Sequence, residues 1–367
     1  SMKLARHTAQ GVVIGTEDKV TNTLSWKGIP YAKAPVGNLR WKEPQDPDLR
    51  PEPFTASAFC KICPQYTDHD ADRTTPQIIL GREDCLYLNI WRPKSREDKL
   101  PVYFWIHGGG NSIQWPRLSW LDGRVLANRS NLVVVSANYR LGPMGWFSHP
   151  ALRTGEGGEE KTDSGNFGTL DLIKALSWVR DNIEVFGGDP ANVTIAGESA
   201  GGQNVIMLLA SPLARGLFHR AISQSGVIRE KTPAQGEEHV NTVIMKLLVK
   251  DGSAPDEKAA AVKLKAMSSD AIARYLRSKS AMELLETYPE GPSRGMIDFP
   301  SWFADGTVEP VDFYTAIKTG TYNKVPVILG TNKEEVKLFL LADPAFAAAV
   351  ASSSIFMDPA RGELYDL

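Results

Sequence analysis

Short apolar runs of strand length recur along this chain, each bounded by glycine or by a helical pattern. They are "LPVYFWI" (100–106), "NLVVVSANY" (131–139), "NVTIAG" (192–197) and "VPVILGT" (325–331). Segments of helical period lie between them. In "GTLDLIKALSWVRDNIEVFGG" (168–188), Leu172, Ala175, Leu176, Val179 and Ile183 share one face, and Gly187-Gly188 stops the helix. Strands that are apolar throughout and alternate with helices belong to a parallel sheet covered on both faces. The fold class expected is therefore α/β.

Shorter strands at 11–15 and 24–32 open the chain as an antiparallel element, and "CLYLNIW" (85–91) adds a further strand. The sheet is expected to be mixed but mostly parallel. The Pro-rich stretch 35–54 reads as a surface loop. A polar helical block at about 233–290 interrupts the alternation and is expected as an insertion packed over one edge. "VPVILGT" is expected to be the last buried strand, with a helix beginning in "KEEVKLFLL" (333–341). No repeat or low-complexity linker divides the chain, so 1–367 reads as a single domain.

Charge narrows the partners. Lys and Arg number 41 against 43 Asp and Glu, with no basic block, which argues against nucleic acid. No apolar run approaches the roughly 18 residues of a membrane span, and "SMKLARHTAQ" at the N-terminus has no apolar signal segment. Of the three cysteines, Cys60 and Cys63 form a C-x-x-C pair that fits a redox or half-zinc motif. No second such pair follows, so no metal is expected.

Gly197-Glu198-Ser199-Ala200-Gly201 matches G-x-S-x-G between the apolar strand "VTIA" and an apolar helix. A turn this tight leaves no room for a Cβ beside the serine and lifts its hydroxyl above the carboxyl end of the sheet. The helix that begins there aims its amides at the site, which favours developing negative charge. Ser199 is the candidate nucleophile. An attacked ester carbonyl needs preorganised N–H donors. "HGGG" (107–110) follows "VYFWI" where such donors belong, so the candidates are the amides of Gly109, Gly110 and Ala200. His107 precedes the glycines and reads as an anchor for the loop rather than as the base. The chain lacks G-x-x-x-x-G-K-[ST] and has no G-x-G-x-x-G after a first strand, which removes a phosphate loop as the competing reading.

Several strings, in order, resemble the type-B carboxylesterase/cholinesterase family of the α/β-hydrolase fold. They include "GIPYAKAPVGNLRW" (28–41), "EDCLYLNIWRP" (83–93), "NYRLGPMGW" (138–146), "GNFGTLDLIKALSWVRDNIEVFGGDPANVTIAGESAGG" (165–202), "GLFHRAISQSG" (216–226), "DGTVEP" (305–310) and "VPVILGTNKEE" (325–335). The resemblance implies a Ser-Glu-His triad that hydrolyses small-molecule carboxylic esters without a cofactor. Ser199 matches the nucleophile and Glu335 the acid, with Glu334 as the neighbouring alternative. It also implies a Cys63–Cys85 disulfide that leaves Cys60 spare. Such a bond would contribute ~3 kcal/mol and place the protein in a secreted or periplasmic setting; without it, a cytoplasmic one is expected.

This chain departs from the family at Val336, where a glycine is usual, and at Leu172, where a glutamine is common. It also departs after the HGGG, where Asn111 and Trp115 would reshape the pocket mouth. Residues 64–84 hold no tryptophan, so choline esters are not the expected substrate. Met296, Phe299, Trp302 and Phe303 read either as the acyl side of the pocket or as ordinary core.

The base is the gap. The fold's order is Ser, then Asp or Glu, then His, yet His7, His69, His107, His149, His219 and His239 all precede Glu335. The 32 residues after Glu335 are too few for the remaining strand, the base loop and a closing helix. The expectation is a C-terminally incomplete chain whose histidine comes from a further fragment of the same protein. Two other functions remain open. One is a non-catalytic binding or adhesion protein of this fold; the other is a lipase or amidase.

Overall fold

The computed structural model describes residues 4–67, 78–114, 122–289, 295–335 and 337. His69, Trp115, and the helix expected over 333–341 apart from its first residues, lie outside them.

Eight strands form the central sheet of the described residues: β1 (Thr16–Asp18), β2 (Thr23–Pro30), β3 (Tyr87–Pro93), β4 (Leu100–Ile106), β5 (Val133–Ala137), β6 (Gly188–Glu198), β7 (Arg220–Gln224) and β8 (Val327–Gly330). Their spatial order is β1-β2-β3-β5-β4-β6-β7-β8. Strands β4 to β8 run parallel; β1, β2 and β3 join antiparallel, β3 against β5. The mixed, mostly parallel sheet thus follows the expected plan. Ala5–Thr8, Gly11–Ile14 and Phe54–Thr55 form a separate small sheet.

The helix Phe167–Asn182 buries Leu172, Ala175, Leu176 and Val179 against the sheet, with Phe104, Val135 and Ile195 in the same core. It ends in a tight turn closed by Gly187 in the left-handed region. The helix Ala200–Ala210 buries Val205 and Leu208 in that core.

Three expectations need correction. Strand β8 forms, but it is exposed: Ile328 and Leu329 retain 64% and 68% of their accessible surface. It is the outermost strand of the described sheet, paired only with β7. The polar block consists of helices Pro233–Lys250, Glu257–Ala266, Ser269–Ser278 and Ala281–Leu285. Among the described residues, none of the central sheet belongs to the apolar cluster in which it packs. Val240, Ile244, Leu247 and Leu276 instead form a second apolar cluster with Met144, Phe147 and Leu152, on the segment that leaves the carboxyl end of β5, and with Trp41 of the proline-rich stretch. The proline-rich stretch is not wholly surface. Trp41 is fully buried, stacks on Phe147 at 4.7 Å and donates its indole N–H to Pro143 O at 2.8 Å.

Glu309 is fully buried, and neither of its carboxyl oxygens has a hydrogen-bond partner among the described residues. Burial first, then the nearby Asp305 and Glu230, push this carboxyl well above the usual range. The folded state therefore holds a proton that the unfolded chain releases. Stability conferred by the neutral form is complete below the ordinary carboxylate range and declines as pH rises through the raised value. Glu309→Gln removes this titration. In urea melts, it should leave stability near that of the parent at pH 4 and raise it at pH 8. Equal shifts at both pH values would overturn this account.

Candidate active site

Strand β6 ends at Glu198, and the next residue sits in a conformation that L-residues avoid. Ser199 has φ 57° and ψ −122°, a strain of about 1–3 kcal/mol. Its amide donates to Gln224 O at 2.8 Å, and its carbonyl accepts from Gln203 N at 2.9 Å. Flanking glycines make the turn sterically possible. A Cβ on Gly197 would lie 2.4 Å from Gly201 O, and one on Gly201 would lie 2.0 Å from Ile106 O.

The glycine loop leaves β4 next door. Gly108 lies so close to the elbow that a Cβ there would be 3.3 Å from Ser199 Cβ. Gly109 and Gly110 take φ of 102° and 63°, open to glycine. Among the described residues, nothing accepts a hydrogen bond from the amides of Gly109, Gly110 or Ala200. Two come from the loop and one from the first turn of the helix Ala200–Ala210, so the structure brings the three expected donor residues to the same end of the sheet as Ser199.

Glu335 lies on the other side of the elbow. Ser225, the residue after β7, donates its hydroxyl to Glu335 Oε1 at 2.5 Å. The Asn332 amide and the Thr331 hydroxyl donate to the same oxygen at 2.7 and 3.0 Å. The Asn332 amide and the Ser225 hydroxyl hold this carboxyl down at about 2. Glu334 instead pairs with Lys337 at 2.7 Å. The sheet order β6-β7-β8 brings the turn after β8 to Ser225, at the end of the strand next to the one that carries the elbow. Glu198 behaves oppositely: burial, then the charge of Glu335, raise its carboxyl above the usual range.

No described histidine hydrogen-bonds to Ser199 or Glu335. His107 is buried, stacks on Tyr139 at 4.4 Å and pairs its Nδ1 with Gly108 O at 2.7 Å; burial pushes it down to about 4. His149 caps a turn through Ala151 N and bonds to Asn241, His219 accepts from Val193 N, and His239 bonds to Tyr288 OH. His7 is exposed on the first strand of the small sheet.

Cys63 and Cys85 form a disulfide, and Cys60 is free. Met296 lies against the glycine loop: a Cβ on Gly110 would meet its sulfur at 2.9 Å. Trp302 and Phe303 are core residues, 3% and 0% exposed. Sequence reasoning missed Ser225 as the support of the carboxylate. Its position directly after β7 and its left-handed backbone, φ 54°, mark it only once the strand pairing is known.

The carboxylesterase family model matches residues 3–358. The para-nitrobenzyl esterase of Bacillus subtilis (strain 168) is 36% identical over 344 residues, covering 92% of this chain and 64% of that protein. Carboxylesterase 1F of Mus musculus is 36% identical over 352 residues, covering 89% of this chain and 58% of that protein. The solved structure of the Geobacillus stearothermophilus carboxylesterase EST55 superposes with a TM-score of 0.74 at 34% identity, covering 94% of this chain and 66% of that one. The chain thus spans about three fifths of the length of the curated relatives it matches. Its mixed sheet is that of the α/β-hydrolase esterases. The chain belongs to the carboxylesterase family.

Proposed function

We propose that this chain carries the nucleophile, the anion pocket and the acid of a serine carboxylic-ester hydrolase. One observation carries the reading: a strained Ser199 has beside it three amides with no acceptor among the described residues, and the Glu335 carboxylate is anchored on Ser225 at the end of the next strand. Ser199 Oγ attacks the carbonyl of a small ester as its proton passes to an imidazole. The amides of Gly109, Gly110 and Ala200 hold the oxyanion. Collapse expels the alcohol, which takes the proton, and leaves an acyl group on Ser199. Water then releases the acid by the same steps. Glu335 orients the imidazole and stabilises its cation.

The histidine comes from polypeptide of the same protein beyond residue 367, either continuous with this chain or held as a separate fragment. Residues 1–367 with that segment form one α/β-hydrolase domain. The greater length of the relatives supports this.

In the complete protein, a fluorophosphonate should label Ser199 stoichiometrically, as read by intact mass. Ser199→Ala should lose the label, and kcat on p-nitrophenyl butyrate should fall by more than about 10⁴-fold. A protein that only binds esters would stay unlabelled. Rates on short-chain esters, long-chain esters and amides separate an esterase from a lipase or amidase.

Glu335 stays ionised down to about pH 2, so the acid limb of kcat/KM belongs to the histidine. Glu335→Gln removes a negative charge beside the imidazolium. It should lower kcat by about 10²–10⁴-fold and move the acid limb to lower pH. An unmoved limb would reassign the acid, with Glu334→Gln as the next variant to measure.

A further inference from the structure

The two halves of the anion pocket come from chain segments 90 residues apart, and one buried side-chain bond ties them together. Asn111 follows Gly110 directly. Asn204 lies one helical turn after Ala200. Both are 1% exposed, and Asn204 Nδ2 donates to Asn111 Oδ1 at 2.8 Å.

The orientation of this bond is fixed from outside. An indole N–H can only donate, and Trp302 Nε1 donates to Asn204 Oδ1 at 2.8 Å. That turns Asn204 Nδ2 towards Asn111. The Tyr139 hydroxyl lies 3.2 Å from Asn111 Oδ1 and 2.7 Å from His107 O, the carbonyl at the root of the glycine loop. Asn111 Nδ2 is buried without a partner among the described residues, at a cost of about 1–3 kcal/mol. Asn111 also holds φ 54°, which asparagine tolerates better than most residues. The chain therefore keeps a polar residue here at an energetic cost.

We infer that Asn111 and Asn204 are positioning residues that lock the loop amides of Gly109 and Gly110 in register with the helix amide of Ala200. This rests on the esterase reading above. Donors must sit within about 0.5 Å of the place where charge develops. A buried amide–amide bond from the residue after Gly110 to the residue one turn after Ala200 adds a direct side-chain tie to the backbone contact between these two segments. The bond acts on the oxyanion, not on the bound ester, so its loss should appear in kcat rather than KM.

The test is a double-mutant cycle in the complete protein. Asn204→Ala suits a helix interior. Asn111→Gly tolerates the left-handed backbone and is the decisive variant if Asn204→Ala fails to fold. Each should lower kcat by about 10- to 100-fold with KM within about twofold. Affinity for a trifluoromethyl ketone, which forms a tetrahedral adduct on the serine, should fall in parallel. The double variant should lose no more than the worse single, because each change breaks the same bond. Undiminished kcat, losses that multiply, or losses confined to KM would overturn the inference. A parent protein whose Ser199 resists the fluorophosphonate overturns the esterase reading itself, and the two failures are thereby distinguished.

Discussion

At Gly201 the helix that follows Ser199 touches the end of β4 backbone to backbone, and the site is built around that contact. A methyl group there would lie 2.0 Å from Ile106 O. The contact brings the first turn of the helix beside the strand from which His107 and the three glycines continue. The glycine loop therefore passes over Ser199 rather than away from it, with Gly108 within reach of the serine's own Cβ. A side chain at Gly201 would wedge the loop from the helix and separate the two sources of amide donors. The tie between Asn111 and Asn204 lies at the same junction and acts in the same direction.

Much of this frame was legible in the sequence because it rests on local signals. Continuous apolar runs identified β4, β5 and β6, and the 3.6-residue period identified the helix Phe167–Asn182. The G-x-S-x-G placed the elbow to the residue. What stayed illegible depends on partners distant in sequence. Trp41 looked like part of a surface loop because its partners, Phe147 and Pro143, lie more than a hundred residues away. Strand β8 has the composition of a buried strand, yet Ile328 and Leu329 are exposed, since burial is decided by neighbours and not by the run itself. Ser225, Asn111 and Asn204 are small polar residues with no periodicity to betray them. Each gains its place from hydrogen bonds to residues distant in sequence.

The electrostatics of the site divide its two acidic residues by environment. Glu335 is held low by donors from the turn it closes and from Ser225, so it is a fixed negative charge. Glu198 lies beside it, half-buried, and is raised by burial and by that same charge. Two neighbouring carboxyls whose environments push them apart can take different tasks. The floor beneath is stiffened by the buried pair of Arg140 and Asp171, joined at 2.8 and 2.9 Å and by the Arg140 amide at 3.0 Å. Arg140 directly follows Tyr139, whose hydroxyl reaches the root of the glycine loop.

Ser199 separates what the fold requires from what it does not. The turn requires a backbone at φ 57° and ψ −122°, and it satisfies that backbone through Gln224 O and Gln203 N. Glycine would occupy the same angles without the strain that a Cβ imposes. The serine hydroxyl makes no hydrogen bond to any described residue, so it offsets none of that strain. A fold selected for stability alone would place glycine at 199, as it does at 197, 201 and 202. Neither turn geometry nor a hydrogen bond to any described residue accounts for this hydroxyl, which agrees with the nucleophile proposed at this position.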